Sequence, residues 1–161
     1  MNLKTKLNFS KKQKIRFEVE GKPPQKSQWG TSDAILVINL REAALKARTK
    51  AGRDKCFTTP VKLKLIVYAP NIDKRNYVQN GDNDEKRYVG DLDSLVAGVC
   101  DYLRPGPKRG ENNFERSKLF DDKPEIDTDV ALMVEDDSQI VSIVAEKRSG
   151  KLHYVIEIEP I

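Results

Sequence analysis

The stretch 61-VKLKLIVYAP-70 is the clearest structural signal in the chain. Its odd-numbered apolar residues alternate with Lys62, Lys64 and Ile66, which is the two-residue period of a half-buried β-strand. The proline at its end has no amide hydrogen to continue a ladder. The stretch therefore predicts a strand, and its neighbours along the chain decide the fold class.

Before this strand, the sequence predicts a strand, a loop and a helix. Residues 14–20 (KIRFEVE) alternate apolar and charged side chains, and residues 21–30 (GKPPQKSQWG) break that pattern with prolines and glycines. Residues 33–51 then carry apolar side chains at helical spacing, with Thr31 or Ser32 placed to cap the helix.

After this strand, the sequence predicts one helix and two strands. The stretch 91-DLDSLVAGVCDYLRPG-106 has a helical apolar face and ends at Pro-Gly. Residues 140–147 and 151–159 read as strands joined through Ser149 and Gly150. The order β-α-β-α-β-β predicts an α+β fold, with a mixed sheet of about four strands and two helices.

The 161 residues suit a single domain with one hydrophobic core. Residues 1–12 form a predicted basic, flexible tail, and residues 13–161 form the domain. Two long polar loops interrupt it, at 71–90 and 104–127. Loops of this length inside a compact domain are usually functional or disordered.

Composition excludes several classes of protein. The longest apolar runs are too short to cross a bilayer, and the N-terminus lacks the apolar stretch of a secretory signal. The lone His153 argues against a zinc site or a serine–histidine–aspartate triad. Cys56 and Cys100 lie far apart, which favours reduced structural thiols. We expect a soluble intracellular protein whose chemistry relies on carboxylates and lysines.

Three aspartates are the candidate chemical groups. Asp91 and Asp93 precede a predicted helix, and in an extended backbone their carboxylates point the same way. Asp137 precedes a predicted strand. If the three converge, their repulsion calls for Mg²⁺ or Mn²⁺, which suits phosphodiester hydrolysis. In the alternative interpretation, Asp93 or Ser94 caps the helix and Asp136-Asp137 forms a solvated turn.

The two acidic blocks in order resemble the RusA family of Holliday junction resolvases. That family's pattern is Asp-Leu-Asp-Asn-Leu opening a helix, then Asp-Asp-x-Gln-Val/Ile opening a strand. The chain has 91-DLDSLVAGVCDYL-103 and 135-EDDSQIVSIVAEK-147, followed by a closing hairpin. A Pro-Pro loop at Pro23 and Pro24, and a strand ending at Pro70, also match the family's order of elements.

The resemblance covers residues 14–160 in outline and implies a function. It implies a RusA-like homodimer, cytoplasmic and nucleoid-associated, that cuts four-way DNA junctions with Mg²⁺ in recombination or repair. It also implies metal ligands at Asp91, Asp93 and Asp137, with Asp136 beside them.

One departure from the family concerns catalysis. An essential lysine of the family falls on Ala97 here. Either another cation replaces it, or the chain is a junction-binding protein that does not cut. The candidate replacements are Lys86, Arg87, Lys108, Arg109 and Lys147.

Basic residues suggest where DNA would lie. The 104–127 loop is longer than in compact family members, and it either tracks phosphates or is a disordered insertion. Lys22 and Lys26 of the Pro-Pro loop are candidate DNA contacts, and Trp29 either stacks on an unpaired base or anchors the loop to the core. The net charge of +4 is compatible with a nucleic-acid partner without establishing one.

Overall fold

A computed structural model of the chain describes residues 13–70, 89–108, 110–111 and 114–161. The predicted basic tail and most of the predicted 71–90 loop lie outside these residues. Within them the chain forms four strands and two α-helices: β1 (Ile15–Glu20), α1 (Ala34–Lys50), β2 (Val61–Ala69), α2 (Leu92–Leu103), β3 (Ile140–Ser149) and β4 (His153–Pro160).

The strands form one mixed sheet in the order β1-β4-β2-β3. β4 pairs antiparallel with both β1 and β2, while β3 pairs parallel with β2 at the edge of the sheet. The predicted α+β class, the four strands and the two helices are confirmed.

The alternation of apolar and charged residues along the strands decides which face of the sheet is buried. The odd-numbered residues of β2 are almost fully buried, and β4 places Tyr154, Ile156 and Ile158 in register with them. These side chains join residues of both helices in one hydrophobic core. The opposite face carries charged pairs such as Lys62–Glu159, whose Nζ and Oε1 are 3.8 Å apart.

Predicted boundaries agree within a few residues, but the predicted cap of α1 is wrong. The cap position is Asp33, and its side chain makes no capping hydrogen bond. Gln28 Nε2 instead donates to Asp33 Oδ2 at 3.2 Å, which ties that carboxylate to the Pro-Pro loop. Thr31 forms a turn before the helix, where its hydroxyl accepts from the Asp33 amide at 3.2 Å.

The 104–127 segment is packed against the core in its described residues, so the disordered-insertion alternative does not apply there. It contains the 3₁₀ turns Lys118–Phe120 and Pro124–Ile126, and both Phe120 and Ile126 are fully buried. The segment is fastened by Arg41 of α1, whose guanidinium is itself fully buried. It donates five hydrogen bonds of 2.7–3.1 Å to the backbone carbonyls of Tyr102, Arg104, Ile126, Asp127 and Val130.

Candidate active site at the two ends of helix α2

Asp91 and Asp93 lie at the start of α2, as predicted. Asp91 occupies the cap position in extended backbone, with φ −70° and ψ 142°, and its side chain makes no capping hydrogen bond. Asp93 lies in the first helical turn. The alternative interpretation, in which Asp93 or Ser94 caps this helix, is therefore wrong. Both aspartates are exposed at a helix N-terminus, where the backbone dipole favours negative charge.

Asp136 and Asp137 have different roles in the second acidic block. The Asp136 carboxylate accepts from the Ser138 amide at 2.8 Å and, together with Gln139, forms a capping box on the 3₁₀ turn Asp137–Gln139. This hydrogen bonding lowers the pKa of Asp136. The turn interpretation therefore describes Asp136. Asp137 instead faces Arg104, with 3.7 Å between its Oδ2 and the arginine Nε.

Two contacts show that α2 and β3 run in opposite directions. Lys147, near the end of β3, donates from Nζ to the Gly90 carbonyl at 2.5 Å, just before α2. At the other end, Arg104 follows the last turn of α2 and pairs with Asp137, just before β3. A helix of 12 residues is about 18 Å long. The two acidic blocks therefore lie at opposite ends of this helix–strand unit.

The aspartates do not gather into one metal site within a single chain. Among the described residues, which include all four aspartates, no group of three or more His, Cys, Asp or Glu side chains is placed to hold a metal ion. Carboxylate oxygens are ligands of the kind that Mg²⁺ prefers.

Arg104 is a site residue whose pairing with two aspartates the sequence interpretation did not predict. Its Nη2 donates to Asp101 Oδ1 at 3.2 Å, and its Nε faces Asp137. That Nε is buried and has no hydrogen-bond partner in the described part of the chain. The signal in the sequence is the spacing of Asp101 and Arg104, which share a helical face and lie at i,i+3.

The residues that could replace the family's lysine, which falls on Ala97, differ in position. Lys147 is in register with Val67 of β2, so it points to the helical face of the sheet and reaches the start of α2 near Asp91. Lys108 is exposed beyond the other end of α2. Lys86, Arg87 and Arg109 lie outside the described residues.

The Pro-Pro loop is fixed along α2. The Tyr102 hydroxyl donates to the Gln25 carbonyl and accepts from the Gln28 amide at 2.8 Å. A Cβ at Gly98 would overlap the Pro24 carbonyl, so only glycine permits this close approach. Because the loop is held this way, its two lysines sit on a rigid support. Lys26 is exposed, whereas Lys22 is partly buried.

Trp29 anchors the loop to the core, as one of its two predicted alternatives states. It is buried, its ring meets Tyr102 edge-on with centroids 5.0 Å apart, and the Arg41 guanidinium lies 4.9 Å from its centroid. A Cβ at Gly106 would also overlap this ring. The indole therefore has little free face for stacking on a base.

The cysteines and the histidine take no part in this site. Cys56 and Cys100 are both free and buried, as predicted. Burial raises the pKa of Cys100 to about 11, so the thiol stays protonated at neutral pH. His153 lies in β4 and stacks on Tyr68 with ring centroids 4.4 Å apart.

In comparisons with known proteins, no family model matches the chain and no curated protein matches it. The resemblance to the RusA family therefore rests on the two acidic blocks and the order of elements. No helix among the described residues is long and apolar enough to cross a membrane.

Proposed function

We propose that the chain is a magnesium-dependent endonuclease for four-way DNA junctions that acts as a homodimer. Each active site would take Asp91 and Asp93 from one copy and Asp137 from the other. The observation that carries this proposal is the placement of the two acidic blocks at opposite ends of the antiparallel α2–β3 unit. Two copies related by a two-fold axis can bring unlike ends together.

The edge strand β3 supports a second copy as the partner. Its outer edge pairs with no other strand in the described residues. Val141, Ile143 and Val144 are 58%, 46% and 46% exposed. A long edge strand with exposed apolar side chains is a template for pairing with another chain.

Charge along β3 favours antiparallel pairing with a second β3. The residues before the strand are acidic (135-EDD-137), and Lys147 and Arg148 near its end are basic. An antiparallel two-fold pair would set the acidic end of one copy against the basic end of the other. It would also carry Asp137 of one copy toward Lys147 and Asp91 of the other, which a parallel pair would not.

In the proposed dimer, the aspartates of two chains together would offer ligands that suit magnesium. Three aspartate carboxylates are hard oxygen ligands of the kind that Mg²⁺ and Mn²⁺ prefer. Bound there, such an ion would act as a Lewis acid at the scissile phosphate and would supply an activated water. The Lys147 side chain beside the site would stabilise negative charge on the phosphate, which Ala97 cannot do.

The direct test is a cleavage assay on a synthetic four-way junction with Mg²⁺, and a linear duplex of the same arm sequence serves as the control substrate. We expect paired nicks near the branch point of the junction, little cutting of the duplex and no cutting in EDTA. Asp93→Asn is the matched variant, since it removes one ligand charge and keeps the shape. Inactivity of the native chain, or full activity of Asp93→Asn, would contradict the proposal.

Ala97 favours a second candidate function, a junction-binding protein of the same fold that does not cut. This candidate predicts junction binding of equal strength in Ca²⁺, Mg²⁺ and EDTA, with the substrate intact after long incubation. Multiple-turnover cleavage by the native chain would exclude it.

A further inference from the structure

A cavity of about 460 Å³ opens beside Arg104, between the Pro-Pro loop, the last turn of α2 and the 104–127 segment. Trp29 and Phe114 contribute aromatic surface to its lining, and Asp101 and Arg104 contribute a charged pair. Ser27 adds a hydroxyl group. All of the lining residues belong to one chain.

The walls of the cavity are fixed by buried contacts. Trp29 is packed against Tyr102 and Phe120, with ring centroids 5.0 Å and 5.8 Å away. The Trp29 carbonyl accepts from the Ser117 amide at 2.8 Å, which holds the 104–127 segment against the Pro-Pro loop. A Cβ on Gly30 would overlap the Glu115 carbonyl, so the two backbones are in direct contact. The cavity is therefore preformed.

Ser27 is a backbone outlier on the cavity wall. Its φ of 63° is in the left-handed region, and it is the only residue other than glycine with a positive φ in the described part of the chain. Such a conformation is strained for a residue that carries a Cβ, and it persists only where the surroundings impose it. Here the hydrogen bonds of Tyr102 to Gln25 and Gln28 flank the outlier. Backbone strain of this kind is concentrated at ligand sites.

The chemistry of the lining points to a flat heteroaromatic ligand. The Asp101 carboxylate and the Arg104 guanidinium, 3.2 Å apart, present an acceptor and donors on one wall. The Phe114 ring is partly exposed beside them. A nucleobase carries N–H donors and carbonyl or ring-nitrogen acceptors on one edge and a π-face, and proteins bind unstacked bases with this combination.

We propose that this cavity receives an unpaired nucleobase of the DNA substrate. The proposal rests on the proposed function, because Arg104 also faces Asp137 and a base held here would bring its phosphate close to that carboxylate. The branch point of a four-way junction is where bases are most easily unstacked. The cavity would then select substrates in which a base can leave the helix.

The test uses a short single-stranded oligonucleotide that contains one 2-aminopurine, in Ca²⁺ and without Mg²⁺. Binding is followed by fluorescence of the 2-aminopurine and by anisotropy of an end label. Phe114→Ala and Asp101→Asn are the cavity variants, and Leu119→Ala, whose side chain is 48% exposed and does not line the cavity, is the control. Thermal unfolding of each variant confirms that it is folded.

We expect the native chain and Leu119→Ala to change the 2-aminopurine signal on binding. Loss of a stacking or base-edge contact should weaken binding about tenfold in each cavity variant. An abasic site in place of the 2-aminopurine should weaken binding by the native chain to the same extent, about tenfold. Equal affinity of all four proteins, or no effect of the abasic site, would overturn the proposal.

Failure of this inference is distinguishable from failure of the proposed nuclease. Oligonucleotide binding that depends on Phe114 and Asp101, without any junction cleavage, would retain the base site and reject the nuclease. Junction cleavage with unchanged oligonucleotide binding in both cavity variants would retain the nuclease and reject the base site.

Discussion

At the residue scale, the position of Lys147 bears most directly on the proposed catalysis. Its side chain crosses from β3 to the Gly90 carbonyl, one residue before Asp91. The family's lysine position, Ala97, is one turn into α2 from Asp93. A cation therefore lies at the same end of the helix, although it comes from a different element.

We predict that Lys147→Ala lowers the cleavage rate about 10²-fold, because one preorganised cation is lost from the site. Junction binding in Ca²⁺ should change little. Lys147→Arg should retain most of the activity, and Lys151→Ala, whose side chain is 81% exposed, is the control. Ala97→Lys in the Lys147→Ala background should restore part of the rate. A Lys147→Ala protein as active as native would assign this lysine to the fold alone.

The two adjacent aspartates should respond differently to the same substitution. Asp136→Asn keeps a side-chain oxygen that accepts from the Ser138 amide, so we expect a folded and active protein. Asp137→Asn removes a ligand charge and should reduce cleavage to background. Single-turnover cleavage of the four-way junction measures both. Equal losses in the two variants would mean that Asp136 is itself a ligand.

Arg41 should matter for stability and not for chemistry. Arg41→Met leaves five backbone carbonyls without their donor, two of them in buried and three in partly buried hydrogen bonds. We expect this to cost on the order of 3–5 kcal/mol in the free energy of unfolding. Urea denaturation measures it, with Lys46→Ala on the exposed face of α1 as a control expected within about 0.5 kcal/mol of native. A loss below about 1 kcal/mol would show that water replaces the guanidinium well.

Residue roles were predictable only where the sequence pattern is local. The alternation of apolar and polar residues predicted the core residues of β2 correctly. The acidic blocks lie at the start of α2 and just before β3, as predicted. Arg41 was not foreseen, because a charged residue on an apolar helix face is ordinarily assigned to solvent. Its partners are backbone carbonyls of residues 102–130, far away in sequence, and no local pattern encodes them.

At the element scale, β3 is the strand whose sequence and position support the proposed dimer. It is an edge strand with exposed apolar side chains, and its register on β2 shifts after Val61, which leaves Val141 as an extra residue. Such bulges are concentrated at sheet edges and next to active sites. The sequence predicted this strand but not its place at the edge, because strand order depends on long-range pairing.

We predict that a charge on the β3 edge separates the dimer. Ile143→Lys should shift the chain to a monomer in analytical ultracentrifugation and should abolish cleavage, with the circular dichroism spectrum unchanged. Ile35→Lys on α1 is the control, since Ile35 is also 46% exposed. A monomeric native chain that cuts junctions, or an Ile143→Lys dimer, would contradict pairing through β3.

At the scale of the whole molecule, the separation of the acidic blocks has the largest consequence. The sequence predicted three converging aspartates, and the order of elements alone cannot say whether they converge within one chain or between two. The antiparallel packing of α2 on β3 places Asp91 and Asp137 of one chain at opposite ends of this unit. The proposed nuclease would therefore be active only as a dimer.

Mixing two inactive variants tests this account most directly. Asp93→Asn and Asp137→Asn chains should each be inactive alone, but a mixed dimer would have one site with both native blocks and one site with neither. After unfolding and refolding together, random pairing should restore about a quarter of the native site concentration. Active-site titration on a four-way junction with Mg²⁺ measures that fraction. Recovery near a quarter is the predicted result, and a mixture as inactive as its components would contradict a site shared between two chains.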